Sequence, residues 1–312
     1  MEHYVTLFDS LFLPQGLALH MSMERHAGEY TLWILCVDDE SFDVLGRINL
    51  PNVRLLQISS LETEELKRVK PTRTRGEYCW TLTPFAPRFV FESDSSVARV
   101  TYLDADMWFR KSPAYIFREF DASRMHVLIT DHAYAPEYDQ SATSGQYCVQ
   151  FITFTRNEGE SVRKWWEERC IEWCYARFED GKCGDQKYLD DWQEHFSDEV
   201  HVLTQQDMLL APWNAARFPY GRAVAYHFHG LRLLSGGKVL LAPAYSLPPI
   251  LVENVYKPYL NDFKLAIQEL GITGWLAKPQ ASAPGIVAWL KSLMDIPYRN
   301  IWRLWVYKIV SL

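Results

Sequence analysis

The chain has 312 residues and a formal net charge of −7, with 32 Lys and Arg against 39 Asp and Glu. This acidic balance supplies no basic field for a polyanion, so we expect no nucleic-acid partner. A hydrophobic content of 48% suffices for a sizeable core, and no apolar run is long enough to cross a bilayer. The first residues lack the features of a signal peptide, and the six cysteines match no zinc-finger spacing. We therefore expect a cytoplasmic protein with free thiols.

Apolar, β-branched runs alternate with helical patterns along most of the chain. Such alternation is typical of α/β proteins, in which a mostly parallel sheet carries helices on its faces. The predicted strands are Tyr4–Leu7, Thr31–Val37, Val53–Ile58, Arg99–Leu103, His126–Thr130, Cys148–Phe154, Val200–Leu203 and Val224–Gly230. The predicted helices are Pro14–His26, one from Ser41, Glu62–Val69, Glu77–Glu92 with breaks at Pro84 and Pro87, Pro113–Phe120, Glu158–Phe178, one after Asp185, and Val255–Leu270.

Three local features refine this pattern. Ser41 and Asp185 are each predicted to cap the helix that follows. Residues Asp131–Gly145 have no apolar period and are predicted to form a loop that covers a site.

Two carboxylates, Asp104 and Asp106, directly follow the apolar run Arg99–Leu103. Side chains at positions i and i+2 of an extended chain point the same way, so both carboxylates can reach one hard cation. Ligands of open α/β sheets bind outside the carboxyl ends of the strands. The spacing therefore indicates a metal site that holds a phosphate. Turn or capping aspartates, which are common after strands, are the alternative.

Two other predicted strands also end in aspartate, at Asp9 and Asp38. Each alone is typical of a turn residue. The carboxyl ends of parallel strands share one edge of a sheet, so both would lie on the rim that carries Asp104. Their shared position favours a polar ligand, such as a nucleotide, that crosses this rim.

Two histidines, His227 and His229, alternate in the last predicted strand and would face one side. Imidazole can complete a metal site that is rich in aspartate, although a histidine on a strand is more often structural. Gly230, which follows, would permit close approach of the backbone to a phosphate.

Together these elements resemble the GT-A-fold glycosyltransferases, and the chain is similar to glycosyltransferase family 8 with its bacterial lipopolysaccharide glycosyltransferases. Three motifs carry the resemblance and stand in the family's order: Tyr102–Asp106, Gly184–Gln186 and His227–Gly230. The resemblance spans about Tyr4 to Leu231. It implies a Rossmann-like GT-A fold and a retaining, metal-dependent transfer of a hexose from a UDP-sugar. The implied acceptor is a cell-surface glycan or a lipid-linked molecule.

The resemblance also implies roles for individual residues. Asp104, Asp106 and His227 would bind Mn²⁺ or Mg²⁺ on the donor diphosphate, and the imidazole favours Mn²⁺. Asp185 and Gln186 would lie beside the donor sugar as catalytic residues, with Gln186 facing the anomeric carbon. The other residues expected to contact the donor, from the resemblance or from their place on the rim, are Thr6, Leu7, Phe8, Asp9, Asp38, Arg88, Ala105, Gly230 and Arg232.

Several positions depart from the family pattern. Cys148 and Gln150 stand where the family has an Asn and a Gly that touch sugar hydroxyls, which puts sugar preference and activity in question. Leu233 stands where a phosphate-binding lysine is expected. Arg232 is the nearest cation and suits a phosphate, and Lys238 is a second candidate.

The character of the chain changes past Leu241. We expect a GT-A domain over residues 1–250 and a helical extension over residues 251–312. The segment Ile286–Leu312 carries four Lys and Arg against one Asp, interleaved with Trp and Tyr. This composition fits a helix in a membrane interface, or one that docks on the domain through its aromatic side chains. Peripheral contact with the inner face of the membrane would bring the protein to a lipid-linked acceptor.

Two other functions stay open at this point. An aspartyl-phosphate phosphohydrolase would use Asp104 as nucleophile and Asp106 as acid, although that class carries its Asp-x-Asp on the first strand. An inactive sugar-nucleotide-binding protein is the other alternative, and the departures at Cys148 and Gln150 motivate it.

Overall fold

The structure is a computed structural model that describes residues 1–281 and 309–312. Its strands are β1 Glu2–Phe8, β2 Tyr30–Cys36, β3 Val53–Gln57, β4 Arg99–Leu103, β5 Met107–Phe109, β6 Val127–Asp131, β7 Tyr147–Thr155, β8 Val200–Val202, β9 Leu209–Leu210, β10 Ala225–His227, β11 Arg232–Leu234, β12 Lys238–Leu240 and β13 Ile309–Ser311. Its α-helices are α1 Leu13–His26, α2 Asp39–Ile48, α3 Glu64–Val69, α4 Arg75–Leu82, α5 Phe85–Ser93, α6 Ala114–Ser123, α7 Ser141–Ser144, α8 Glu160–Glu172, α9 Trp192–His195, α10 Pro249–Leu251 and α11 Lys257–Ile272.

Seven of the described strands form one sheet in the order β3-β2-β1-β4-β7-β6-β8. Neighbours pair in parallel except at β7, which runs antiparallel to both β4 and β6. Helices α1, α2 and α6 pack on one face, and α3, α4, α5 and α8 pack on the other. The predicted α/β class, with a mostly parallel sheet and helices on both faces, is confirmed.

The first strand shows why its sequence reads as a continuous apolar run. Val5 and Leu7 face one core, whereas Tyr4 and Phe8 face the other. Successive side chains of a strand point to opposite faces, and both faces of this sheet are covered by helices. A central strand therefore carries apolar side chains on both faces, and in β1 the buried Thr6 is the exception.

The carboxyl ends of β1, β2 and β4 lie at the same edge of the sheet because these strands are parallel. Asp9 and Asp38 follow β1 and β2, and Asp104 follows β4. The fold thus gathers at one rim three carboxylates that lie far apart along the chain.

Strand β7 brings a further set of side chains to this rim. It is antiparallel to β4, with Leu103 opposite Phe151, so it begins at the edge where β4 ends. Cys148 and Gln150, near the start of β7, therefore lie beside Asp104. The separation of more than forty residues in sequence gives no hint of this proximity.

A second small sheet, in the order β5-β10-β9, places the last motif. Strand β5 begins directly after Asp106 and pairs antiparallel with β10, with Met107 opposite His227. This register fixes His227 next to Asp106 across more than a hundred residues of sequence.

Two predicted helix boundaries are wrong. Helix α2 is capped by Asp38, whose Oδ1 accepts a hydrogen bond from the Ser41 amide at 2.9 Å, and not by Ser41. An aspartate side chain three residues before that amide satisfies one of the free N–H groups of the first turn. The helix predicted over Glu158–Phe178 ends at Glu172 because Trp173 has an extended backbone.

Two further helix predictions are refined. The segment Glu77–Glu92 is two helices separated at Pro84, whereas Pro87 lies in the first turn of α5, where a missing N–H costs no hydrogen bond. Asp185 precedes the 3₁₀ helix Gln186–Asp191, but its side chain makes no capping hydrogen bond. The predicted side-chain cap at Asp185 is therefore wrong.

The amphipathic helix predicted over Val255–Leu270 is α11, preceded by a π-helical turn over Val252–Tyr256. It packs on α1, where the buried carboxylate of Asp262 pairs with the Arg25 guanidinium and accepts a hydrogen bond from Trp108 Nε1 at 2.7 Å. The domain boundary near residue 250 stays a prediction. Most of the aromatic and basic segment of the tail lies outside the described residues.

We expect Asp262→Ala to lower the free energy of unfolding by about 2–3 kcal/mol, because it leaves the buried Trp108 N–H without an acceptor. Arg25→Ala should cost less than about 1 kcal/mol, since the Arg25 side chain is 44% exposed. Urea denaturation of both variants checks this. If both variants lost the same free energy of unfolding, the Trp108 contact would not be the main source of the stabilisation.

Candidate functional site

Asp104, Asp106 and His227 form a compact group, with one ligand atom from each lying within 4.8 Å of the others. His227 Nε2 lies 3.0 Å from Asp106 Oδ1 and 3.7 Å from Asp104 Oδ2. The turn between β4 and β5 supplies both carboxylates, and the end of β10 supplies the imidazole. The structure thus brings together the three residues predicted to bind metal.

The charges of this group depend on one another. Burial alone would raise the pKa of Asp106, but the adjacent His227 lowers it to about 2. Burial would lower the pKa of His227, and Asp106 instead raises it well above its ordinary value. Burial and the charge of Asp106 hold the pKa of Asp104 above its ordinary value. The buried carboxylate of Asp106 and the partly buried one of Asp104 therefore share one positive partner, and a divalent cation could replace the proton on Nε2.

Neighbouring groups hold the two carboxylates in place. The Tyr102 hydroxyl donates to Asp104 Oδ1 at 3.0 Å, and the Asp104 amide donates to the Gln150 carbonyl at 3.3 Å. The Phe228 amide donates to the Asp106 carbonyl at 2.9 Å. Two hard oxygen donors with one imidazole fit Mn²⁺ or Mg²⁺, and the imidazole favours Mn²⁺.

Of the two histidines, His227 is the one at ligand distance. The ring of His229 lies 5.7 Å from that of His227, centroid to centroid, on the same side of the chain as predicted. The crowded surroundings of the ring and the charge of His227 lower the pKa of His229, although the residue is exposed to solvent. His229 is therefore a neutral neighbour of the group, and it packs against Trp213.

Asp185 lies beside this group in a Gly-bearing loop. Gly184 has a φ of 57°, and a side chain there would meet the Trp80 ring at 3.4 Å. Burial and the charge of Asp104 raise the pKa of Asp185 to about 7. Its Oδ2 is buried without a hydrogen-bond partner among the described residues. Gln186, the other predicted catalytic residue, follows it and is partly buried.

The rim at β1 and β2 contains a residue that the sequence analysis missed. The Arg75 guanidinium forms ion pairs with both Asp9 and Asp38. Burial raises the pKa of Asp9, and Arg75 only partly offsets this. Thr74 and Glu77 form a capping box at the start of α4, which a search for the capping pattern would have found. The sequence predicted that this helix begins at Glu77, and Arg75 therefore lay outside every predicted element.

The carboxylate of Asp38 is occupied by structural contacts. Besides capping α2, it accepts hydrogen bonds from the Ser10 amide at 3.1 Å and from the Ser10 hydroxyl at 2.8 Å. These bonds and those from Ser41 outweigh burial and lower its pKa. Its predicted position on the rim is correct, and its local role is to join the ends of β1 and β2.

Thr6, Leu7 and Phe8 lie at the end of β1 with buried side chains. The Phe8 carbonyl accepts a hydrogen bond from the Val37 amide at 3.0 Å. The Thr6 hydroxyl is buried and has no partner within the part of the chain that the structure describes. These residues adjoin Asp9, so any contact with a nucleoside would involve the end of the strand.

Arg88 does not join the metal-ligand group. Its guanidinium pairs with Glu92 at 2.7 Å and Glu167 at 3.7 Å, in a polar cleft of about 380 Å³ between α5 and α8. The helix turns this side chain toward α8, which the sequence pattern could not show. The prediction that Arg88 contacts the donor is therefore not supported by its position.

Three other residues predicted to contact the donor adjoin the group in sequence or act on it through charge. Ala105 is buried between the two carboxylates. Gly230 has a φ of 79°, a conformation that favours glycine. Arg232 contributes to the low pKa of Asp106, and its guanidinium lies 5.3 Å from the centre of the Phe12 ring.

An aromatic wall beside the group was not predicted. Trp213 packs edge-on against the rings of His132, His227 and His229, at 5.2 to 5.4 Å between centroids. Burial would raise the pKa of the Cys148 thiol, but His132 and His227 lower it to about 7. The irregular segment around Trp213 carried no sequence signal for this position.

The chain is 32% identical over 251 residues to a protein of Bacillus subtilis (strain 168), the uncharacterized protein YfnF. The match covers 74% of this chain and 82% of YfnF. The chain belongs to the YfnF family. No family model matches the sequence.

Comparison with solved structures identifies the fold of this chain. The bifunctional glycosyltransferase WbbM superposes with a TM-score of 0.54 at 14% identity, over 88% of this chain and 51% of that one. The galactosyltransferase LgtC, in complex with donor and acceptor sugar analogs, superposes with a TM-score of 0.53 at 12% identity, over 84% and 95% of the two chains. The fold is therefore of the GT-A type. Among the described residues, no helix is long and apolar enough to span a membrane.

Proposed function

We propose that this chain is a metal-dependent glycosyltransferase that transfers a hexose from a UDP-sugar, with retention of configuration. The observation that carries the proposal is the Asp104–Asp106–His227 group at the carboxyl end of β4 in a GT-A fold. Two carboxylates and an imidazole at this edge form a donor set for Mn²⁺ or Mg²⁺. The buried carboxyl of Asp185, which is close enough to Asp104 to feel its charge, would lie beside the donor sugar.

A bound divalent cation would neutralise the diphosphate that leaves as the bond to the anomeric carbon breaks. Arg232 adds a guanidinium near Asp106, and Gly230 permits close approach of the backbone to a phosphate oxygen. Asp185 and Gln186 would face the donor sugar. Because positive charge develops on that sugar, a nearby carboxylate stabilises the transition state more than the ground state.

The nucleoside end of the donor is assigned to the rim at β1. Asp9 and the end of the strand at Phe8 lie next to the Arg75 ion pairs. Arg75 is about half exposed, so it can exchange one carboxylate partner for a polar group of the nucleoside. The preference for uridine is the finer part of the proposal and follows from the resemblance to family 8.

The acceptor side is proposed to be a cell-surface glycan or a lipid-linked molecule, as in lipopolysaccharide biosynthesis. His229, the exposed ring at the edge of the buried Trp213 cluster, is a group against which a sugar ring could pack. LgtC was solved with an acceptor sugar analog, which supports a glycan acceptor. Cytoplasmic location at the inner face of the membrane, with contact through residues 286–312, is part of the same proposal. Residues 286–308 lie outside the described chain.

The phosphohydrolase alternative is not favoured. Its nucleophile would be Asp104, whose Oδ1 accepts from Tyr102 and whose Oδ2 faces His227, an arrangement suited to a metal ligand. The Asp-x-Asp also follows β4 and not β1. An inactive binding protein is not favoured either, because the solved structures that share this fold are of glycosyltransferases.

A thermal-shift screen with nucleotide sugars tests the proposal. A UDP-hexose at about 100 times its Kd should stabilise the protein by about 2.7 kcal/mol with Mn²⁺ present and by much less with EDTA. GDP- and CMP-sugars serve as controls for the base. If no nucleotide sugar raises the Tm in the presence of Mn²⁺, the proposed function is wrong. Release of UDP from the stabilising donor then separates an enzyme from a binding protein.

A further inference from the structure

Gln150 is a polar side chain that is fully buried near the start of β7. Cys148 and Gln150 lie two apart on β7, so both point to the same face, toward His227. A buried amide is costly unless its polar atoms are hydrogen-bonded. The contacts of Gln150 therefore show what the side chain does in this position.

The carbonyl of the Gln150 side chain accepts a hydrogen bond from His227 Nδ1 at 3.1 Å. The amide nitrogen of the same side chain is buried without a partner among residues 1–281 and 309–312. The contact with His227 is thus the one that fixes the orientation of the amide. In addition, the main-chain carbonyl of Gln150 accepts from the Asp104 amide at 3.3 Å. Gln150 consequently touches two of the three residues assigned to the metal.

An acceptor at Nδ1 determines which nitrogen of the imidazole is available to a cation. With the proton of Nδ1 donated to Gln150, the lone pair for a ligand bond belongs to Nε2. Nε2 is the nitrogen that lies between Asp104 and Asp106, at 3.7 Å and 3.0 Å. Partners of this kind orient ligating histidines and increase their basicity.

We propose that Gln150 is a positioning residue of the metal centre, which holds His227 in the tautomer and orientation that present Nε2 to the cation. The inference rests on the proposed function, because it takes Asp104, Asp106 and His227 as the ligands. Gln150 acts through His227 and does not itself touch the metal.

The test is the affinity of the full chain for Mn²⁺ alone, measured from the electron paramagnetic resonance signal of free Mn²⁺. Gln150→Met keeps the length of the side chain and removes the acceptor, and should weaken Mn²⁺ binding about 10-fold or more. Gln150→Glu restores an acceptor oxygen and should bind Mn²⁺ at least as tightly as the unaltered protein. Gln193→Met, on the exposed surface of α9, is the matched control and should change nothing.

Each outcome has a definite meaning. Rescue by Glu after loss with Met supports the positioning role, since a purely structural defect would not be restored by an added charge. Undiminished Mn²⁺ binding in Gln150→Met, or equal weakening in both variants at unchanged Tm, overturns it while leaving the proposed function intact. Failure of the unaltered protein to bind Mn²⁺ overturns both. If Gln150→Met does not fold, Gln150→Asn, which is too short to reach His227, takes its place.

Discussion

Replacing Asp106 by Asn is expected to abolish Mn²⁺-dependent binding of UDP-sugars and to lower glycosyl transfer by about 10³-fold or more. A bound metal stabilises the transition state by several kcal/mol as the diphosphate departs, and each 1.36 kcal/mol changes the rate tenfold. Asp106 keeps its charge at every working pH, because His227 outweighs burial and lowers its pKa to about 2. Asn has nearly the same shape but neither the charge nor the second anionic oxygen.

Isothermal titration with a UDP-hexose, in Mn²⁺ and in EDTA, measures the effect. Asp43→Asn is the matched control, because it makes the same substitution at an exposed position of α2. It should leave the binding of the UDP-hexose unchanged. Metal-dependent binding that persists in Asp106→Asn would refute the role assigned to this residue. Asp104→Asn should behave as Asp106→Asn does, because both carboxylates lie in the same group.

The strands that build the rim could be predicted from the sequence because buried parallel strands have a simple signature. Continuous apolar runs ended at Asp9, Asp38 and Asp104, and parallel pairing placed these ends at one edge. The Asp-x-Asp spacing and the distant His227 then predicted the ligand group, and the structure brings these residues together. These inferences need only local periodicity and the direction of the strands.

Contacts that depend on the direction of a helical side chain could not be predicted in this way. Arg88 was expected at the donor because it stands near an arginine of the resembling family on the helix before β4, but α5 turns it toward Glu92 and Glu167. Arg75 was overlooked although it pairs with both Asp9 and Asp38. Neighbouring positions of an α-helix point about 100° apart, so a helical position that is matched one residue out of step with a family pattern lies on a different face.

Gln150 shows a second limit, which concerns tertiary pairing. From the sequence, Gln150 was only a departure from the family pattern that put activity in question. The antiparallel pairing of β7 with β4 places it against Asp104, and the pairing of β10 with β5 brings His227 over it. Neither long-range register can be deduced from the periodicity of one strand, since a strand may pair on either side in either direction.

Replacing Asp185 by Asn is expected to lower glycosyl transfer by about 10²-fold or more and, in the metal-free protein, to raise stability. The pKa of Asp185 is raised from 3.8 to about 7 by burial and by the charge of Asp104. The folded state therefore disfavours the ionised form, and the protein loses stability as the pH rises from about 4 to about 7. Asn removes this penalty, so the gain should be about 1–2 kcal/mol at pH 8 and close to zero near pH 4.

Urea denaturation in EDTA at the two pH values measures the stability, and a transfer assay with Mn²⁺ measures the activity. Asp180→Asn is the matched control, because Asp180 is exposed in the same loop and its φ of 49° suits Asn. A variant that gains stability at pH 8 while losing activity shows that the buried carboxyl is kept for catalysis at a cost to the fold. The role would be refuted if Asp185→Asn kept full activity and was as stable as the unaltered protein at both pH values. A carboxyl that costs no stability on ionisation and contributes nothing to transfer is an ordinary loop residue.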